Sequence, residues 1–330
     1  DNWTALFKPG ERVRLRLINA SAMTTFNLRI PGLRLTIVQA DGLNVRPVTV
    51  DEIQIAVAET YDAIIEPAED RAYTLVGESV DRSGMAVATL APRPDMSAPV
   101  PPLRKRPTAT MKDMGMGGMG GDTAGCTPEH AAMGHCAMSG GMKMDHSMRD
   151  FSNAPEVKKT PTVQSISPMP VDRTGEPGQG LDDVGHKVLV YRDLQAVTRN
   201  PDVRAPEREM RIHLTGNMER YMWAFDGEKL SEVKQPIPFR QDERVRITLV
   251  NDTMMGHPIH LHGHFFELVT GHGDHAPRKH TVQVQPGGAV TFDVTMDAVG
   301  DWAFHCHMLY HMHAGMMQVV TVRPREGAGA

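Results

Sequence analysis

Apolar and polar residues alternate along most of the chain, and the alternation falls into two regions of short runs. In residues 1–92 the runs are bounded by turn signals such as Asp41-Gly42, and no helical period interrupts them. Short strands at regular spacing are typical of a β-sandwich or barrel. The strands predicted here are Val13–Ile18, Leu33–Gln39, Glu52–Ala58, Tyr61–Ile65 and Tyr73–Val76.

The alternation returns in residues 186–330, which we predict to form a second β-domain. We expect the tail after Arg323 to be frayed. The predicted fold class is therefore all-β, with two sandwich or barrel domains. The strands predicted in this region are Lys187–Tyr191, Met210–Leu214, Arg244–Val250, Phe266–Thr270, Thr281–Gln285, Val290–Thr295, Trp302–His305 and Met317–Val322.

The two β-regions resemble each other in sequence. The run Glu11–Asn19 (ERVRLRLIN) matches Glu243–Asn251 (ERVRITLVN) at an offset of 232, and further matches follow in the same order at an offset of 231. We therefore predict two copies of one domain, of which only the second keeps its histidines. In these registers Thr25, Leu28 and Ile30 stand opposite His257, His260 and His262, and Thr74-Leu75-Val76 stands opposite His305-Cys306-His307.

Residues 93–185 have a different composition, rich in proline, glycine and methionine. Residues 111–148 alone hold nine methionines, three histidines, Cys126 and Cys136. A segment of this composition cannot bury enough apolar surface to fold by itself. We predict a largely disordered linker between the two domains.

The overall composition limits the classes of function. The chain of 330 residues has room for two or three domains, and 40% hydrophobic residues support real cores. A net charge of -5 gives no indication of nucleic-acid binding. No run of about 18 apolar residues occurs, so no membrane span is predicted. The chain begins at Asp1 without a signal peptide, which we interpret as a fragment or a processed form.

Half of the 16 histidines lie in two short stretches, His257–His264 (HPIHLHGH) and His305–Met316 (HCHMLYHMHAGM). Side chains alternate along a strand, so His305 and His307 are expected on one face and Cys306 on the other. Cys306 lies between two histidines and far from Cys136, so we interpret it as a metal ligand and not as half of a disulfide.

The two faces predict two metal sites. On the Cys306 side, two imidazoles, a thiolate and a weak axial thioether are what a blue-copper electron-transfer site requires. The residues that supply them are His257, His311, Cys306 and Met316. The other face gathers the four imidazoles that can begin a multinuclear copper site, those of His260, His262, His305 and His307. Cys306 is bonded through the backbone to His305 and His307, which gives an electron a short covalent route between the sites.

The remaining histidines are predicted to have other roles. His264 is expected to orient a ligand ring rather than to bind metal. Histidines outside spaced motifs serve more often without metal. We therefore do not assign ligand roles to His186, His213, His272, His275, His280 and His313.

The pattern His-x-x-His-x-His followed by His-Cys-His-x-x-x-His-x-x-x-x-Met is similar to the C-terminal domain of the multicopper oxidase family. The Met/Gly/His-rich segment resembles periplasmic copper-tolerance members of that family. The resemblance implies cupredoxin-like Greek-key domains over 1–92 and 186–330, with the linker over 93–185. It implies type 1 copper ligands His257, Cys306, His311 and Met316, type 2 ligand His260, and type 3 ligands His262, His305 and His307.

The resemblance also implies a reaction. Up to four copper ions would oxidise Cu(I), or phenols in vitro, and reduce O2 to water, with electron transfer through Cys306, His305 and His307. Such oxidases carry two further His-x-His motifs, and none precedes residue 257 here. We therefore expect an N-terminal cupredoxin domain or a partner chain to supply the remaining ligands. The alternative is a copper-sequestering protein with a type 1 site and no turnover. Tyr310 stands where some bacterial members have an acid.

Methionines near the type 1 ligands and in the linker suggest a soft path for Cu(I), because thioethers favour that ion. The alternatives are adaptable core filling near the site and a tether without a role in the linker. Cys126 and Cys136 are left open between copper binding and a disulfide. The candidate methionines are Met254, Met255, Met308, Met312 and Met317 near the site, and Met111, Met114, Met116, Met119, Met133, Met138, Met142 and Met144 in the linker.

Overall fold

Nine strands form the first domain in the computed structural model, which describes residues 3–116 and 148–325. They are β1 Thr4–Leu6, β2 Val13–Ile18, β3 Phe26–Arg29, β4 Leu35–Ala40, β5 Leu43–Val50, β6 Glu52–Ile55, β7 Thr60–Ile65, β8 Tyr73–Ser79 and β9 Met85–Ala91. One sheet has the order β1-β9-β8-β3-β6 and the other β2-β7-β4-β5. In β2 the apolar Leu15 and Leu17 are buried while Arg14 and Arg16 are exposed, as the alternation predicts.

The second domain has the same two-sheet arrangement, which confirms the all-β prediction. Its strands are β11 Arg208–Asn217, β12 Met222–Phe225, β13 Ile237–Arg240, β14 Arg244–Asn251, β15 His257–Leu261, β16 Phe266–Leu268, β17 Arg278–Lys279, β18 Thr281–Val284, β19 Gly288–Thr295, β20 Gly300–Cys306 and β21 Met317–Arg323, with β10 Val171–Asp172 added beside β19. The sheets are β12-β11-β14-β19-β16-β17 and β13-β21-β20-β15-β18. Their inner faces share one buried core.

Helix is scarce in the described part of the chain. The helix α1, Leu309–His313, forms a single turn after β20, and short 3₁₀ helices lie at Lys112–Met114, Tyr191–Asp193 and Gly273–His275. Among residues 3–116 and 148–325, no helix has the length and apolar character that crossing a bilayer needs.

Strand pairing corrects the register between the two domains. β3 lies between β6 and β8, as β15 lies between β18 and β20. Leu28 and Ile259 both face the core of their domain, and their partners on the next strand are Gly77 and Cys306. Gly77 therefore takes the place of Cys306. One position further along each strand, Arg29 takes the place of His260 and Glu78 that of His307. A gap-free alignment of the two sequences instead places Leu28 opposite His260, because it cannot detect short length differences between strands.

Buried ion pairs occupy the place in the first domain where the second has its histidines. Glu52 and Glu78 are completely buried, and the Nη2 atom of Arg104 lies 2.6 Å from a carboxylate oxygen of each. Arg29 Nη1 lies 3.6 Å and 3.7 Å from the same two carboxylates. Buried carboxylates require such compensation. Charged side chains thus fill this position in the first domain.

The described parts of the predicted linker make defined contacts with both domains. Arg104 binds the first domain, and Arg173 pairs with Asp113 at 2.7 Å while donating to the carbonyl of Pro286. Val157, Val163 and Ile166 form a small buried cluster. Composition predicted weak order across 93–185. Residues 93–116 and 148–185 are instead held by partners on the domains, which composition cannot reveal. Met119, Met133, Met138, Met142, Met144, Cys126 and Cys136 lie outside the described residues.

Candidate metal centre

A buried triangle of donor atoms lies at the end of β20. Cys306 Sγ is 3.7 Å from His257 Nδ1 and 3.9 Å from His311 Nδ1, and the two nitrogens are 3.2 Å apart. All three residues are completely buried. Among the described residues, this is the set whose three donor atoms all lie within 4.8 Å of one another. Met316, also completely buried, belongs to the same apolar cluster.

Local hydrogen bonds close the segment 306–316 around this triangle. β15 and β20 pair so that Ile259 stands beside Cys306, which brings His257 near the sulfur. After β20 the single turn of α1 carries His311 back toward Cys306. The Cys306 N–H donates to the carbonyl of Met316 at 3.1 Å, and the Met316 N–H donates to that of His311 at 3.0 Å. The close spacing of Cys, His and Met in sequence therefore becomes convergence in space.

Burial keeps these side chains neutral before metal binds. It lowers the pKa of His311 to about 4 and that of His257 well below its ordinary value, and it raises the pKa of the Cys306 thiol. Neutral imidazoles present free lone pairs, and a metal must displace the thiol proton on binding. Two imidazoles, a thiolate and a nearby thioether in an apolar surrounding fit copper.

Trp223 on β12 covers the triangle and was not predicted. Its ring stacks on His311 with centroids 3.9 Å apart and lies edge-on to His257 at 5.2 Å. It is buried and shields the triangle from water. Nothing local in the sequence marks Trp223, because it comes from a strand far from either histidine stretch.

Four histidines lie together on the opposite face, as the alternation predicts. The ring centroid of His260 lies 4.7 Å from that of His262 and 5.7 Å from each of those of His305 and His307. Nε2 of His262 lies 3.0 Å from Nε2 of His305. His262 is exposed, His260 and His307 are half-buried, and His305 is buried. The cluster therefore opens toward solvent on the His262 side.

Hydrogen bonds fix the tautomers of two of these rings. His260 Nδ1–H donates to the carbonyl of His280 at 2.7 Å, and His305 Nδ1–H donates to that of Cys306 at 2.9 Å. Both rings therefore keep the lone pair on Nε2, the atom left for a metal. Burial lowers the pKa of His260 to about 3 and that of His305 to about 4, so both are neutral at pH 7.

Two further histidines support this face through their own or their neighbours' backbone. His264 is buried and donates Nδ1–H to the carbonyl of His262 at 3.0 Å, so it holds the backbone of that residue and not a ring. His280 offers its carbonyl to His260, and its own ring lies edge-on to the His260 ring at 5.2 Å. No spacing motif in the sequence connects His280 with the cluster, because the contact arises from the pairing of β15 with β18.

A cavity of about 520 Å³ between the domains has five methionines among its lining residues. The structure brings Met254, Met255 and Met308 to it and adds Met23 and Met218, which the sequence did not single out. Met308 lines the cavity and belongs to the same buried core cluster as Cys306 and Met316. The other described candidates, Met111, Met114, Met116, Met312 and Met317, do not line it.

Two-domain β-sandwich architecture with a Cys/His/Met centre defines a class of copper proteins, and the chain belongs to the multicopper oxidase family. Family models described as "Multicopper oxidase" match residues 1–93 and 204–326. This confirms the family that the histidine motifs predict. Members of this family bind copper at type 1, type 2 and type 3 sites.

Named relatives place the chain near copper-resistance proteins. It is 49% identical to a copper resistance protein A homolog of Pseudomonas syringae pv. tomato, over 97% of this chain and 56% of the relative. It is 48% identical to copper resistance protein A of Escherichia coli, over 97% and 57%. The solved structure of Fet3p, a multicopper oxidase that functions in iron import, superposes with a TM-score of 0.64 at 15% identity, over 97% and 57%. The chain thus spans a little over half the length of these relatives.

Proposed function

We propose that this chain forms the electron-accepting part of a copper-dependent oxidase of copper resistance, with Cu(I) as its substrate and phenols as substrates in vitro. The buried convergence of Cys306, His257 and His311 carries the proposal. Copper held by these residues and Met316 supplies one-electron redox chemistry. The names of the relatives, copper resistance protein A among them, support the biological setting. We also propose a periplasmic location, which the similarity to these relatives supports.

The backbone around Cys306 links the two faces. An electron that reaches the sulfur can pass through covalent bonds to either His305 or His307, without crossing a gap. The proposal assigns O2 reduction to the face with His260, His262, His305 and His307. Oxidases of this family carry two further His-x-His motifs, whereas this face supplies four imidazoles and opens at His262. The proposal therefore assigns the remaining ligands to a further domain or a partner chain.

The methionine-lined cavity is the proposed route for the Cu(I) substrate. Met254 is 40% exposed, whereas Met308 is buried in the core cluster that contains Cys306, so the cavity offers thioethers both at the surface and in the interior. Thioethers prefer Cu(I), so the ion can pass inward without meeting a ligand that favours its oxidised form.

Copper counting with absorption spectroscopy on this chain tests the proposed function. We expect a visible thiolate band whose intensity matches one tightly held copper per chain, and no oxygen uptake until the missing histidines are supplied. Absence of the band would contradict the assignment of Cys306. The second candidate is a copper-sequestering protein, which the open histidine face with only four imidazoles favours. It would be supported if the chain showed the band but consumed no oxygen even when the remaining histidine ligands were supplied.

Replacing both Met254 and Met255 by leucine is expected to slow reduction by Cu(I). The visible band of the oxidised chain should bleach on the order of tenfold more slowly when Cu(I) is added, because leucine keeps the bulk but removes the soft donor. Stopped-flow absorption measures the rate.

The control for this experiment is Met210→Leu, since Met210 packs against the same core but does not line the cavity. Ferrocyanide, which needs no thioether ligand, should bleach all three proteins at similar rates. Equal slowing with ferrocyanide would mean that the double variant damages the buried triangle, and would contradict the cavity as a Cu(I) route.

A further inference from the structure

A carboxylate of the first domain reaches into the histidine face of the second. Asp41 lies in the turn between β4 and β5, at a φ of 47°, and is buried. Its Oδ1 accepts the N–H of Thr60 in its own domain at 3.0 Å. Its Oδ2 accepts the N–H groups of His280 and Thr281 at 3.1 Å and 3.2 Å. Asp41 therefore connects the first domain to the start of β18.

The same two residues of β18 hold His260 from the other side. The carbonyl of His280 accepts His260 Nδ1–H at 2.7 Å, and the hydroxyl of Thr281 lies 3.2 Å from the same nitrogen. Asp41 thus binds the backbone N–H groups of His280 and Thr281. The carbonyl of His280 and the hydroxyl of Thr281 in turn contact the ring of His260. Every contact between Asp41 and the His260 ring is a hydrogen bond, and each has a donor–acceptor distance typical of one.

We propose that Asp41 is a positioning residue for His260. By fixing the backbone at His280 and Thr281, it keeps the proton of His260 on Nδ1 and the lone pair on Nε2. The inference rests on the proposed role of His260 as a metal ligand. In the first domain, ion pairs occupy the positions that hold histidines in the second. Through Asp41 the first domain would nevertheless help to orient a ligand of the second. Supporting hydrogen bonds of this kind set the tautomer and orientation of ligand rings.

The competing explanation is that Asp41 only holds the two domains together. Lys279 is completely buried at their contact, with Nζ 3.0 Å from Asp41 Oδ2 and 3.3 Å from Glu59 Oε1. Glu59 also accepts the hydroxyl proton of Tyr191 at 2.5 Å. Glu59 therefore shares the ionic contact with Asp41 but does not bind the N–H groups of His280 or Thr281. This difference provides a matched control.

The test compares Asp41→Gly with Glu59→Gln by ¹⁵N NMR of histidine-labelled, metal-free protein at pH 7. Glycine tolerates the left-handed backbone of this turn and removes both acceptor oxygens, whereas an asparagine would keep one amide oxygen able to accept the N–H groups of His280 and Thr281. In the parent chain we expect His260 to be a single Nδ1–H tautomer. Asp41→Gly should show a mixture of tautomers, whereas Glu59→Gln should keep the parent signals.

Titration with Zn²⁺, a diamagnetic probe that binds imidazole, provides the second readout. The midpoint for the His260 signals should rise roughly tenfold or more in Asp41→Gly, the usual effect of losing a supporting residue. An unchanged tautomer in Asp41→Gly would overturn the proposal, and so would equal changes in Glu59→Gln. If His260 of the parent chain ignored Zn²⁺, its ligand role would fail, and the tautomer result would still decide the role of Asp41.

Discussion

Cys306→Ser is expected to remove the visible thiolate band and the tightly held copper of this chain. A serine hydroxyl does not ionise at neutral pH, so the buried triangle would keep two imidazoles and lose its anionic, soft donor. The loss of copper affinity should exceed the roughly 10- to 100-fold that removal of a supporting residue causes. Absorption spectra and copper content after dialysis measure both effects.

The control for Cys306→Ser is Met296→Leu. Met296 is completely buried in the same core cluster but lies outside the donor set. This volume-conserving change should cost less than about 1.5 kcal/mol of stability and leave the band unchanged. A band that persisted in Cys306→Ser would show that another sulfur binds the copper and would overturn the arrangement of ligands proposed for the second domain.

Glu52→Gln is expected to lower the free energy of unfolding by about 3 kcal/mol. This is a small cost for breaking a buried ion pair, because the Arg104 side chain keeps some contact with water. Glu52 is completely buried and binds Arg104 at 2.6 Å and His186 Nε2 at 2.7 Å, with Arg29 at 3.6 Å. Glutamine keeps the shape but removes the charge, which leaves Arg29 and Arg104 to share Glu78. Urea unfolding of the metal-free chain, followed by circular dichroism, measures the change.

A surface ion pair of the same domain provides the matched control. Asp70 pairs with Arg93 at 2.8 Å, but both side chains are more than half exposed. Asp70→Asn should therefore change the free energy of unfolding by no more than about 1 kcal/mol. Equal effects of the two substitutions would show that the buried cluster does not stabilise the first domain.

The parts of the fold that follow from local periodicity could be predicted from the sequence. Period-two alternation marks strands such as β2 and β14, and the repeated ERVR run indicates two copies of one domain. The Cys306 triangle was predictable for a similar reason. Most of its residues lie close together in one stretch, and the strand period separates Cys306 from its neighbouring histidines.

The parts that depend on contacts between distant segments could not be predicted. Trp223 reaches His311 only because β12 lies at the edge of the opposite sheet. Asp41 reaches β18 only because the two domains meet at Lys279. The ion-pair cluster of Glu52 and Glu78 was hidden because the register between the domains shifts by one residue at β3 and by two at β8, which a gap-free comparison does not detect.

The ion pairs of the first domain have a consequence for how such a protein can mature. Where the second domain has His307 and its neighbouring imidazoles, the first has Glu78, whose charge is compensated by Arg104 of the following segment. The buried charges at this position are therefore compensated by side chains of the same chain. We therefore expect the first domain to fold, and to keep its contacts with the second, whether or not copper is bound.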